Sequence, residues 1–303
     1  MATLLDFRRR IRSVKSTQQI TRAMKFVAAA RLRRAQERVF AARPYAREMI
    51  VLLRSAMARV ESPTHPLMAR RPEERVLVLV LSGDRGLCGA FNTNVIRKAL
   101  EFLRERSQKT LELIPIGKKG RDALRKRKWK FPAEYINVTT RVEFPQAKEI
   151  AAQVVERYAA AQVDAVYVVY NEFKSVLVQR LRVEKLLPIE PESLAGEGAE
   201  AESATELGAP AEPERVTLVD YIYEQPPEQI FSRLLPRFVE TQIFRVMLES
   251  SAAEHAARMT AMDSATNNAV ELIEQLTLHM NKVRQAAITK EIIEVVSGAA
   301  STA

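Results

Sequence analysis

The residues best placed for chemistry lie in one short stretch, SGDRGLCGAFN at 82–92, between an aliphatic run and a helical pattern. Gly83, Gly86 and Gly89 stand three apart there. Glycines leading from a strand into a helix can let a phosphate approach backbone N–H groups at the helix start. The dinucleotide fingerprint needs G-x-G-x-x-G, however, and a phosphate loop ends in G-K-[ST]. Neither occurs in this stretch, so it reads as a tight strand-to-helix turn rather than a nucleotide-hydrolysing loop. Cys88, the one cysteine, has no histidine near it in sequence and so lacks the base that an activated thiol needs. His65, His255 and His279 are too scattered to suggest metal-ligand spacing. No metal or cofactor is expected, and no set of catalytic side chains assembles. GKKGRDALRKRKWK at 117–130 is basic with one tryptophan, and reads equally as a phosphate-binding surface or a solvated helix at a domain edge.

The elements that position these residues follow from hydrophobic spacing. VLVLVL (76–81) is a buried strand, 90–106 a helix, LELIPI (111–116) a second strand and 118–127 a short basic helix. Pro145 marks the start of a helix over 145–160, and DAVYVVYN (164–171) is a third buried strand. Residues 175–187 and 216–224 alternate enough to be strands. Strands alternating with helices predict a mostly parallel, Rossmann-like sheet.

Both ends of the chain are helical by a different signal. Of nine glycines none precedes Gly83, and only Gly298 follows Gly208. Phe7, Ile11, Val14, Gln18 and Thr21 are spaced 4-3-4-3, and Ala28, Leu32, Ala35, Val39 and Ala42 resume the stripe after Lys25 breaks it. Near the other end Met259, Met262, Thr266, Ala269, Ile273, Leu276, Met280, Val283 and Ala287 keep heptad spacing. The stretch 237–297 holds neither glycine nor proline and would extend roughly 90 Å as a helix at 1.5 Å per residue. The fold class is thus α/β, with a long antiparallel coiled coil of the N- and C-terminal helices and an inserted Rossmann-like domain. The expected divisions are 1–60, 74–224 and 226–298.

Charge is unevenly distributed. Residues 1–59 carry 15 Lys/Arg against 3 Asp/Glu, whereas 190–214 carries eight Glu and no base. The acidic stretch, rich in Pro, Ala and Gly, reads as a flexible insert, either a tether or a brake that touches a basic surface. The basic arm lacks the interleaved aromatics that single-strand readers stack on bases, so a protein-facing surface is favoured over a nucleic-acid footprint. A nucleic-acid-binding coiled-coil protein is the alternative. The longest uninterrupted aliphatic run has six residues, far short of the roughly 20 of a membrane helix. A single cysteine points to a reducing compartment.

RRRIRSVKSTQQITRAMKFVAAARLRRAQ (8–36), the turn at 82–92, and AARMTAMDSATNNAVELIEQLTLHMNKVRQAAITKEIIEVVSGA (256–299) closely resemble the gamma subunits of F-type ATP synthases. The match begins by Leu5, which implies that the N-terminus is not a transit peptide. The resemblance implies a non-catalytic central-stalk rotor inside a ring of three alpha and three beta subunits. Its middle domain would meet epsilon and the c-ring, with membrane contact only through that ring and no nucleic acid. It implies beta-subunit contacts from Met24, Lys25, Arg258, Arg284, Gln285, Thr289 and Glu291. DYIYEQPPEQ (220–229) resembles the family's foot, which makes Tyr221, Tyr223 and Glu224 candidates for facing the c-ring and epsilon. The expected location is the cytoplasmic face of a bacterial inner membrane.

Overall fold

Seven-residue β1 (Arg75–Leu81) is the centre of the molecule's only sheet among the described residues, and its sequence explains why. Every residue after Arg75 is buried, which suits a strand covered on both faces. A computed structural model describes residues 3–57, 65–176, 178–190 and 226–302. The remaining elements are α1 (Leu4–Met57), a 3-10 turn (Pro66–Met68), α2 (Phe91–Glu105), β2 (Thr110–Ile116) and α3 (Lys118–Arg125). They are followed by α4 (Phe144–Ala159), β3 (Ala165–Phe173), β4 (Gln179–Leu187) and α5 (Pro227–Thr302).

The strand order is β2-β1-β3-β4. β1 runs parallel to β2 (Val78 opposite Leu113) and to β3 (Val78 opposite Tyr167). β4 is antiparallel to β3, with Val169 opposite Val183. The sheet is therefore mostly parallel with one reversed edge. β4 begins at Gln179, later than the alternating pattern from 175 suggested, because Ser175 closes a turn with Val178: the Ser175 N–H donates to its carbonyl and its N–H to the Ser175 hydroxyl.

One face of the sheet packs Val76, Val78 and Val80 against Val95, Ala99, Phe102 and Leu103 of α2. On the other face Leu79, Leu81 and Val168 adjoin Ile243 and Val246 of α5. α4 opens with a capping box, Glu143 and Gln146 satisfying each other's backbone N–H groups, and buries Ile150 and Val154. α1 and α5 each run through a proline, Pro44 and Pro236. An interior proline removes one helical hydrogen bond. Around Pro236 the buried Leu235, Phe238 and Val239 hold the helix in place. The expected strand at 216–224, with Tyr221, Tyr223 and Glu224, lies outside the described residues, as does the acidic stretch beyond Glu190.

The chain divides into two units, Met1–Ala30 with Arg258–Ala303, and Arg31–Ala257.

Candidate functional site

In the two-helix unit, Phe7, Ile11, Val14, Gln18, Thr21 and Ala28 are all buried or half-buried, as are the nine heptad positions from Met259 to Ala287. Three contacts fix the direction of the pair. The Phe7 and His279 rings lie 5.6 Å apart, the Thr21 and Thr266 hydroxyls 2.8 Å, and Lys25 Nζ is 2.6 Å from Asp263 Oδ1. Numbers rise along one helix as they fall along the other, so the pair is antiparallel. Thr21 Oγ1 also lies 3.0 Å from the Gln18 carbonyl, and Thr266 Oγ1 lies 2.7 Å from that of Met262. Two hydroxyl protons serve three such distances, so one is always left without a proton. The break at Lys25 is answered by Asp263, with both side chains more than a third exposed.

The residues proposed to contact the beta subunit fall into different environments. Met24 and Lys25 are half-buried, whereas Arg284, Gln285, Thr289 and Glu291 are exposed on the last turns of α5. The Thr289 hydroxyl donates to the Gln285 carbonyl at 2.9 Å. Arg258 differs, because it is only 8% exposed. Spacing alone missed a row beside these, Ile288, Ile292, Ile293, Val295 and Val296, all exposed. Their signal was available: large apolar residues that fall off the heptad seam at a helix end.

The turn at 82–92 is built from inside. Asp84 is buried, and its carboxylate accepts from four donors. Oδ1 takes the Lys118 and Asn137 N–H groups at 2.9 and 2.8 Å; Oδ2 takes the Thr139 N–H and hydroxyl at 3.0 and 2.8 Å. The Gly83 N–H donates to the Asn92 side chain at 2.8 Å. An added Cβ on Gly83 would lie 2.8 Å from the carboxyl carbon of Glu254, a buried α5 residue, so the Glu254 side chain occupies the space beside that backbone and would have to shift. One turn earlier on α5, the Ser251 hydroxyl donates to the Thr139 carbonyl at 3.1 Å. At Gly117 φ is +107° and a Cβ would meet the Ser82 carbonyl oxygen at 2.0 Å. Asp84 thus ties the start of α3 and the 137–139 stretch to the turn that follows β1.

Cys88 is buried, with the Asn92 amide 3.2 Å from its sulfur. Among the described residues no group of three His, Cys, Asp or Glu could hold a metal. In the basic segment Arg121 and Arg125 are paired with Glu134, and Trp129 packs against the sheet core. That tryptophan is half-buried.

The family model described as ATP synthase matches residues 3–302. The curated relative from Solibacter usitatus, an ATP synthase gamma chain, is 50% identical, with 99% of each chain covered. The ATP synthase gamma chain of Chloroherpeton thalassium is 47% identical, covering 99% of this chain and 98% of its own. The chain belongs to the ATP synthase gamma chain family. Gamma chains so named supply no support for the nucleic-acid alternative. Two solved structures share the fold. A chain of the Euglena gracilis mitochondrial ATP synthase in rotational state 3 (OSCP/F1/c-ring) has 20% identity and a TM-score of 0.65, over 99% of this chain and 94% of its own. A chain of the Tetrahymena thermophila central stalk and c-ring has 24% identity and a TM-score of 0.58, covering 81% and 99%. Among the described residues no helix of this gamma chain is long and apolar enough to cross a membrane.

Proposed function

We propose that this chain is the non-catalytic rotor of the central stalk in a proton-transporting F-type ATP synthase. Ion flow through the membrane sector turns it, and its rotation drives the catalytic beta subunits through their binding states. The observation that carries this reading is the antiparallel helix pair with a thin, partly polar seam, in a chain half identical to a gamma chain across its whole length. Such a pair is stiff along its axis and offers a sleeve few deep pockets to catch on.

The partners in this reading are alpha and beta subunits, three of each, with epsilon and the c-ring. Beta contacts come from Met24 and Lys25 and from the exposed Arg284, Gln285, Thr289 and Glu291, whose polar side chains can exchange charge-assisted hydrogen bonds at each step. The buried Arg258 joins them only by leaving its present rotamer. Tyr221, Tyr223 and Glu224 face the c-ring and epsilon. The assembly sits at the cytoplasmic face of a bacterial inner membrane, and this chain meets the bilayer only through the ring.

The test is reconstitution with cognate alpha and beta subunits and a bead fixed to this chain. Stepwise, unidirectional bead rotation on ATP addition is expected. Failure to assemble, or ATP hydrolysis without rotation, overturns the proposal.

A further inference from the structure

A cavity of about 400 Å³ opens in the Arg31–Ala257 unit between α1, the start of α4 and α5. That volume lies in the range of small-molecule sites, as does its mainly apolar lining with a few polar groups. Val39, Ala42 and Ala46 come from α1, and Leu248 from α5. Phe144 and Phe244 meet edge-on at 5.4 Å. Three arginines line it, Arg43, Arg237 and Arg245, and they are not equivalent. Arg245 is committed: its Nη2 lies 2.7 Å from Glu184 Oε1 and its Nε 2.7 Å from Gln242 Oε1. Arg43 lies 5.0 Å over the Phe40 ring, and among the described residues neither it nor Arg237 is ion-paired.

Glu249 completes the wall. It is 7% exposed, its Oε1 is 3.5 Å from Arg245 Nη1, and among the described residues its buried Oε2 has no hydrogen-bond partner. Burial pushes its carboxyl above the usual range, reinforced by Glu172 on β3 and Glu184 on β4 and opposed by Arg245 and by Arg43 from α1. When this carboxyl carries a proton, Oε2 has an O–H to donate and no acceptor for it among the described residues.

We propose that this cavity binds a soluble amphipathic anion, an apolar body of medium length carrying one carboxylate held by Arg43 and Arg237. An anionic oxygen answers both features at once, since it pairs with Arg43 and Arg237, neither ion-paired among the described residues, and can accept from a protonated Glu249. A cationic amphiphile meets the wrong sign. A neutral one leaves the arginines as they are.

The experiment is calorimetric titration of the full chain with decanoate, alongside decanol and decyltrimethylammonium. Saturable binding of decanoate at one site is expected, weakened at least about tenfold in Arg43→Gln/Arg237→Gln, the scale of losing a charge-assisted pair. Ala46→Trp fills the cavity and abolishes binding, while Glu249→Gln, whose amide still donates, retains it. Circular dichroism checks that each variant folds; if Ala46→Trp does not, the arginine pair alone decides. Equal decanoate binding by wild type and the arginine variant overturns the proposal, as does equal affinity for the cation. Uptake of anionic phospholipid vesicles without binding of monomeric decanoate also overturns it.

Discussion

The two units of this chain are held together by opposite means. The Arg31–Ala257 unit surrounds a sheet whose central strand is buried along nearly its whole length, and it ties its loops with buried charge. Asp84 alone gathers backbone from three places in the sequence. The two-helix unit has a seam of single side chains, with threonines and a half-exposed ion pair where a larger core would place leucines. A side chain inside the first unit is over-determined by its neighbours. One on the seam meets a few partners and then water. The difference teaches that family membership, which spans both, does not imply uniform tolerance to change.

Substitutions should expose that contrast. Gly117→Val is expected to be the most damaging, costing at least about 4 kcal/mol, because a side chain there meets the Ser82 carbonyl in a backbone conformation that suits glycine. Urea denaturation followed by Trp129 fluorescence reads this directly, since the single tryptophan packs on the sheet core. Asp84→Ala comes next, at about 3 kcal/mol, by removing the acceptor of three backbone N–H groups, that of Thr139 fully buried. A midpoint within error of wild type would remove Asp84 from its central place.

Acid should act on the same unit. Asp164 is buried, and its bidentate hydrogen bonds from the Arg75 guanidinium hold its carboxyl below the usual range. A depressed folded-state value means that the stabilisation is complete above the unfolded value, about 3.9. It is lost as pH falls through the lower folded value. Asp164→Asn should therefore destabilise the protein by about 2 kcal/mol at neutral pH. Its stability should also fall less steeply in acid than that of the wild type, as denaturation midpoints from pH 7 to 3 will show.

The seam should forgive more. Replacing both Thr21 and Thr266 by valine is expected to change stability by less than about 1 kcal/mol, because the two hydroxyls chiefly satisfy each other and their own helix carbonyls. Lys25→Met is the mildest, about 0–1 kcal/mol and vanishing in high salt, since a pair this exposed is screened. Hydrogen exchange of the helix amides measures both. A loss of several kcal/mol from either would erase the contrast between the units.

The seam was legible because 4-3 spacing maps directly onto one helix face: every position from Phe7 to Ala42 in the stripe is buried or half-buried. Strand cores were legible for the same local reason. The role of Asp84 was not, because its donors arrive from 118, 137 and 139 and the stretch between α3 and α4 has no period to read. The reversed direction of β4 was equally hidden, since alternation reports which face is buried and says nothing of chain sense. Arg258 shows the converse limit: resemblance offers it as a surface contact, whereas packing around α5 buries it.

The notch at Gly83 has a mechanical consequence. A helix advances 1.5 Å and turns 100° with each residue, so slipping α5 by one position carries Glu254 out of line with the one backbone site that lacks a Cβ beside it. The missing methyl group and the carboxylate that fills its place act as keyway and key, and the Ser251–Thr139 hydrogen bond one turn away holds the same phase. Within the Arg31–Ala257 unit the Gly83 and Thr139 contacts thus mark one rotational setting of this stretch of helix.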